Sequence, residues 1–332
     1  MEYLYATPLN GVTPWEKPVF DSHVHIWKPE KKDGYNPNFS WKLFIEWVNL
    51  YYGKDASDFY CLGMMEPALK KAYTEEYAQN IVFAYYMGTK AFGTFDIKRL
   101  LEQVDEAQQY EYPMLKIWLA PRMIDFIKEM KPGFRINDSR FNKVYEKIED
   151  YGFKVIIHVS DPDNWYWYKY QEKEKYGTKE GRLEDFCDIM SRYPKIDWIS
   201  AHLGCLPENL PKLEKMFEDF PRLYVDTGST RWMIRELGKH PKQTKEWFKK
   251  YIGKGKILFG SDISVAERFN PEYITTRFWS HKVFWETNSV SPELPFTDSD
   301  SPFGVKIHGL DLDESTLEKF YYKNAFKLFN IK

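Results

Sequence analysis

Short β-rich runs alternate with amphipathic, charge-bearing segments along this chain, and that alternation restricts its fold more than any other feature. Runs at 19–26, 81–86, 114–119, 154–159, 198–201, 223–226 and 257–260 predict strands. Segments 97–110, 142–151, 183–193, 210–220 and 242–251 carry apolar residues at three and four spacing, which predicts helices. A strand followed by a crossover helix, repeated, is the pattern of parallel β-structure. Seven strands fall one short of a closed barrel, and the run at 59–64, with a poor β-propensity signal, supplies the eighth. The expected fold is therefore α/β, a distorted TIM (β/α)8 barrel with insertions over its C-terminal mouth. A final helix is expected over 314–329, with Asp313 as its cap.

At 332 residues the chain suits one elaborated barrel domain spanning 1–332. Two irregular stretches, 28–54 and 291–304, interrupt the rhythm and are candidate lids or insertions, the second equally readable as a surface connection. A net charge of −2 gives no electrostatic reason to expect nucleic acid or an anionic membrane as partner. The three cysteines are odd in number and widely spaced, which argues against a disulfide framework and for a reducing compartment. With no basic leader, no apolar signal region and no membrane-length apolar stretch, a cytoplasmic protein with a small-molecule substrate is expected. Aromatic residues reach 18%, more than a polar site could use, so most must pack the core.

The chemistry gathers at strand ends. In Val19-Phe20-Asp21-Ser22-His23-Val24-His25-Ile26, side-chain alternation puts His23 and His25 on one face, where a divalent metal would satisfy both imidazoles at once. Two solvated histidines on an exposed strand face are the alternative for this segment alone. His158 ends the apolar run 155–157, His202 follows 198–201, and Asp262 follows 257–261. In a parallel barrel those ends collect around one mouth. Five ligand-type residues at equivalent positions are hard to explain as ordinary strand termini.

These motifs, Asp21-Ser22-His23-Val24-His25, Ile157-His158, Ala201-His202-Leu203-Gly204, Leu258-Phe259-Gly260-Ser261-Asp262 and Tyr321-Tyr322-Lys323-Asn324-Ala325, carry a resemblance. In order and spacing the chain resembles the amidohydrolase superfamily, specifically the amidohydrolase 2 group that is similar to aminocarboxymuconate semialdehyde decarboxylase and related lactonases. The resemblance implies that His23, His25, His158 and Asp262 hold one divalent metal. Such ligands suit Zn²⁺, with Mn²⁺ or another transition ion fitting the same groups. It implies that His202 and Asp262 handle protons, and that the metal lowers the pKa of a water from about 15.7 toward neutrality. Two-metal members of the superfamily carry a modified lysine near the position of Lys116. The amidohydrolase 2 group resembles single-metal enzymes, so one metal is expected. The family often dimerises, which makes a homodimer an expectation as well.

Arg122 and Arg231, each just beyond a strand end, are candidate anchors for a substrate carboxylate, with a surface ion pair as the alternative for each. Trp27 shares the parity of His23 and His25 and is a candidate pocket wall. Trp118 is another, and core packing would explain both tryptophans equally. Cys205 lies near His202 but has no assigned base, and a buried thiol is the commoner outcome. The leading expectation is a hydrolase using metal-activated water on a small ester, lactone or amide that bears a carboxylate. The alternative is a metal-dependent decarboxylase acting on an aromatic or unsaturated carboxylic acid, and a non-catalytic metal- or ligand-binding barrel stands behind both. No Gly-x-Gly-x-x-Gly follows a strand, which disfavours a nucleotide-cofactor oxidoreductase.

Overall fold

The first strand, β1 (Val19–Ile26), is buried almost throughout, although Asp21, Ser22, His23 and His25 interrupt its apolar run. A parallel strand covered on both faces normally reads as continuously apolar, so four polar residues there require partners. The structure is a computed structural model that describes residues 11–27, 37–65, 67–73, 79–130, 133–265, 270–291 and 307–332. The chain divides into two compact units, Met1–Phe83 with Asp226–Lys332, and Ala84–Val225.

In the first unit, β1 lies parallel to β2 (Phe59–Met65). The register slips between Asp21 and Val24, where three steps on β1 match two on β2, a β-bulge at the histidine motif. Bulges re-aim side chains and recur beside functional sites. The other edge of β1 pairs with a short parallel strand, Ile263–Val265. Between the two, Ser22 N donates to Phe259 O at 2.8 Å and Asp262 N to His23 O at 2.8 Å, which fastens the segment after Ile257–Leu258 to the bulge. The unit's core is aromatic: Phe259 and Tyr321 meet edge-on at 5.1 Å, Trp285 and Phe320 at 5.0 Å, and Tyr52 and Phe278 at 5.4 Å.

Helix Pro271–Glu286 escapes the sequence reading because it has no polar stripe: eleven of its sixteen residues are buried, His281 and Lys282 among them. Lys282 binds both oxygens of Glu286 at 2.7 Å, and the Tyr321 hydroxyl donates to the same carboxylate at 2.7 Å. Burial pulls the Lys282 ammonium down from its usual range and pushes the Glu286 carboxyl up. The signal that survives in sequence is Asn270-Pro271, a capping side chain and a first-turn proline, with Asn270 Oδ1 accepting from Glu272 N at 2.8 Å.

The segment 314–329 is helical as expected but contains one π-helical turn, Lys319–Lys323, whose Phe320 carbonyl accepts from Phe259 N at 3.2 Å. Asp313 caps it through Thr316 N at 3.0 Å. Hydrogen bonds from Ser315, Lys249 and Thr316 hold the Asp313 carboxyl well below its usual value of 3.8. Asp313→Ala is expected to cost about 1 kcal/mol of stability at neutral pH, the typical worth of such a cap. Because the folded-state value is depressed, that stabilisation is present above the unfolded value and is lost as pH falls through the folded one. The gap between the urea midpoints of the two proteins should therefore begin to narrow below about pH 4 and go on narrowing as pH falls further.

The second unit is a parallel sheet in chain order. β3 (Ile81–Tyr86), in which the chain enters this unit, pairs through Ala84–Tyr86 with β4 (Met114–Trp118). β4 pairs with β5 (Lys154–His158), β5 with β6 (Trp198–Ser200), and β6 with β7 (Leu223–Asp226), at whose end the chain leaves. Helices follow these strands at Ile97–Gln109, Asn142–Asp150, Lys179–Arg192 and Leu210–Asp219. Asp96, Thr178 and Asn209 cap three of them through first-turn amides. The third starts four residues before the expected 183, because Thr178 rather than the apolar stripe sets its beginning.

Residues 28–36 and 292–306 lie outside the described residues, and with them the first third of the 28–54 candidate and all of the 291–304 candidate except Ser291. The part of 28–54 that is described holds a helix, Pro37–Val48, where an irregular stretch was expected. Among the described residues, no helix is long and apolar enough to cross a membrane.

Candidate metal centre

The bulge in β1 and the turn after Ile257–Leu258 bring three donors to one point in the first unit. His23 Nε2 and His25 Nε2 each lie 3.3 Å from the same oxygen, Oδ1 of Asp262. Tetrahedral ligands about 2.0–2.1 Å from a zinc ion stand about 3.3–3.4 Å from one another, which is the separation of the Asp262 oxygen from each of the two imidazole nitrogens. His23 is fully buried, whereas His25 and Asp262 are partly open. Asp262 sits in the left-handed region at φ 58°, a conformation aspartate tolerates better than most residues.

Behind the donors stand two carboxylates absent from the sequence-predicted set. Asp226, also fully buried, lies 2.9 Å from His23 Nδ1 and accepts from Gly228 N at 2.8 Å. A carboxylate there keeps the proton on Nδ1, which leaves the Nε2 lone pair directed at the cation position. Sequence held the signal, since Asp226 ends the run 223–226 as His158 ends its own. Asp21 accepts from His23 N at 3.0 Å, from Ser261 N at 2.9 Å and from the Ser261 hydroxyl. Burial pushes its carboxyl up to about 7, with the Ser261 and His23 hydrogen bonds opposing and the Asp226 charge adding. Gly260 is required by close approach: a Cβ there would sit 3.1 Å from His23 Cβ and 3.2 Å from Asp226 Cβ.

Trp27 stacks on His25 with ring centroids 5.5 Å apart and planes within 8° of parallel, beside the donors as strand parity predicted. Arg231 falls in the first turn of helix Thr230–Leu237 and is partly exposed.

The second unit carries a histidine pair of its own. His158, at the end of β5, has Nε2 3.2 Å from Asp161 Oδ1, and its ring meets that of His202 edge-on at 4.4 Å. The Tyr170 hydroxyl donates to the other Asp161 oxygen at 2.8 Å. His202 occupies an unusual backbone: His202, Leu203, Gly204 and Cys205 have φ of 58°, 55°, 61° and 59°, one turn of left-handed helix. Each non-glycine residue there costs roughly 1–2 kcal/mol, and such outliers concentrate where geometry serves function. The turn closes with Cys205 N on His202 O at 2.8 Å, and the Cys205 thiol donates to Ser160 O at 2.8 Å. Burial pushes that thiol well above its usual pKa, so Cys205 acts as a strut rather than a nucleophile.

Lys116 is buried in β4, opposite Ile156. Trp118, opposite His158 in register, is half-buried with its ring 5.9 Å from exposed Phe126. Arg122 is exposed, its guanidinium 5.5 Å from the Phe126 ring. A cleft of about 520 Å³ in this unit is lined by Met130, Phe134, Ile136, Tyr176 and Arg182 among others, and none of the sequence-predicted site residues borders it.

A family model described as Amidohydrolase (Amidohydro_2) matches residues 124–331, more than half of the chain. The matched span holds His158, His202, Arg231 and Asp262; the His23-Val24-His25 motif precedes it. Among the curated proteins no match is found. A solved 2,6-dihydroxybenzoate decarboxylase complexed with 2,6-dihydroxybenzoate is 12% identical over 96% of this chain and 100% of its own, with a TM-score of 0.53. An uncharacterised TIM-barrel protein from Bordetella bronchiseptica is 13% identical over 94% of this chain and 98% of its own, with a TM-score of 0.50. Likeness at such identity speaks for the fold, which is the TIM (β/α)8 barrel expected from the strand–helix alternation. With that fold, a matched span reaching from 124 to the last helix and a candidate metal site at its strand ends, the chain belongs to the amidohydrolase family of the Amidohydro_2 model.

Proposed function

We propose that this protein is a metal-dependent hydrolase of small esters, lactones or amides that carry a carboxylate, with one divalent cation held by His23, His25, His158 and Asp262. The observation that carries the reading is the convergence of two imidazole Nε2 atoms on a single Asp262 oxygen, both 3.3 Å away, with Asp226 fixing the tautomer of His23. The case for His158 as the remaining ligand comes from the fold, in which strand C-termini gather at one mouth. Zn²⁺ is the cation that such a nitrogen-rich set suits best. A bound cation would supply Lewis acidity and a more acidic water.

The protein's own residues do the rest. Three neutral imidazoles and one carboxylate leave a divalent centre with one net positive charge, which favours an anionic substrate. Arg122 and Arg231 are the groups suited to hold its carboxylate through paired hydrogen bonds, with Trp27 and Trp118 as apolar walls. His202 accepts and returns a proton near the reacting carbonyl, and Asp262, partly open to the mouth, shares that task.

Decarboxylation is the second reading, favoured by the fold's likeness to a 2,6-dihydroxybenzoate decarboxylase and by a superfamily that includes both reaction types. Product analysis in ¹⁸O-water separates them. Metal-loaded enzyme offered a panel of carboxylated lactones, amides and aromatic acids is expected to place label in a new carboxylate without releasing carbon dioxide. Carbon dioxide from an aromatic acid, with no labelled hydrolysis product, would replace the hydrolase reading with the lyase one.

A further inference from the structure

His281 is fully buried, lies outside every motif above and has no part in the proposed chemistry. Its two ring nitrogens are both engaged: Trp285 Nε1 lies 3.1 Å from Nδ1, and Thr230 Oγ1 lies 3.0 Å from Nε2. The order of donors is forced. An indole N–H can only donate, so Nδ1 accepts; a neutral imidazole then carries its proton on Nε2 and donates to Thr230. The Thr230 hydroxyl hydrogen is left for Ser261 O, 3.5 Å away. Burial pulls the His281 pKa down to about 3, so the ring stays neutral and the direction of the chain is fixed at ordinary pH.

The chain ends on the peptide that sets Asp262. Its oxygen, Ser261 O, receives Thr230, and its nitrogen, Asp262 N, donates to His23 O at 2.8 Å. Ser261 is held further by Asp21, through its amide at 2.9 Å and through its hydroxyl. A peptide plane pinned at both ends can keep Asp262 at φ 58°, where an unpinned one would relax toward negative φ. We propose that His281 is a positioning residue for Asp262, acting through Thr230 and the Ser261 carbonyl to hold the carboxylate where it meets His23 and His25.

The inference rests on the metal-centre reading, and its test separates the two. Apoprotein is titrated with Co²⁺ while the visible spectrum, which reports ligand geometry, is recorded. Wild type is expected to bind one Co²⁺ per chain. Thr230→Val, which removes the hydroxyl but keeps the shape, and His281→Leu are each expected to bind about 10-fold or more weakly, with a shifted cobalt band. His281→Gln, whose amide can both accept from Trp285 and donate to Thr230, should stay within about 3-fold of wild type. Wild-type affinity and spectrum in Thr230→Val, or equal weakness of the Gln and Leu variants, would overturn the positioning role. Should His281→Leu fail to fold, Thr230→Val decides alone. Failure of the wild type to bind Co²⁺ would instead sink the metal centre. Independently of metal, ¹⁵N spectra should show His281 as the Nε2–H tautomer from pH 5 to 8; an Nδ1–H or titrating ring contradicts the proposed donor order.

Discussion

Asp262→Ala is expected to leave the protein without its divalent metal and without activity, and His23→Ala to do the same. Removing Asp262 takes away the one negative ligand, so the cation would face neutral imidazoles with nothing to offset its charge on losing water. Removing His23 deletes the donor that Asp226 orients from 2.9 Å and that lies fully buried. Asp226→Asn should be milder, because the ring remains but its proton is no longer held on Nδ1; a 10- to 100-fold loss of metal affinity is the ordinary cost of such a change. Elemental analysis of the purified proteins reads the first effect, and competition with a chelator reads the second. Ligand-linked stability gives a further check, since metal at about 100 times its dissociation constant stabilises by about 2.7 kcal/mol. A chelator should therefore lower the melting temperature of wild type but not that of Asp262→Ala. Activity that persists in metal-free protein would refute the scheme.

The parts of the molecule that sequence disclosed are those in which one force dominates. Strands β1 and β3 to β7 read directly because parallel strands covered on both faces show as apolar runs. Even β2, whose Cys61, Gly63 and paired methionines weaken its propensity, is a buried strand, since tertiary context outweighs local preference. Helix 271–286 stayed hidden because burial on all sides removes the stripe that periodicity detects. At the site, strand parity correctly placed His23, His25 and Trp27 together, although the β-bulge that lies between Asp21 and Val24 leaves no mark in composition. Asp226 closes a strand run as His158 does, but its pairing with His23 Nδ1 depends on packing between residues far apart in sequence, which the run itself does not show. Asp21 and Thr230 were not readable, because each acts through backbone groups of Ser261, far away in sequence, and neither was His281, which reaches that peptide only through the Thr230 hydroxyl.

His202→Asn is expected to keep its metal while turnover falls by about 10²-fold or more, the usual scale for loss of a positioned general acid or base. The choice of asparagine follows from the backbone. His202 sits at φ 58° in a left-handed turn with Leu203, Gly204 and Cys205, and asparagine enters that region more readily than alanine. Loss of function in the Asn variant therefore reports the imidazole rather than collapse of the turn, whereas His202→Ala would confound the two. Nothing in the sequence Ala-His-Leu-Gly-Cys announces this conformation, for only one of its residues is glycine. Buried packing of Leu203 and the Cys205 thiol on Ser160 O offset the strain. Metal content and single-turnover rates of the Asn variant decide the role. Retained metal with slowed turnover assigns His202 to proton transfer, lost metal makes it a ligand, and an unchanged rate leaves the left-handed turn as the only role for this residue.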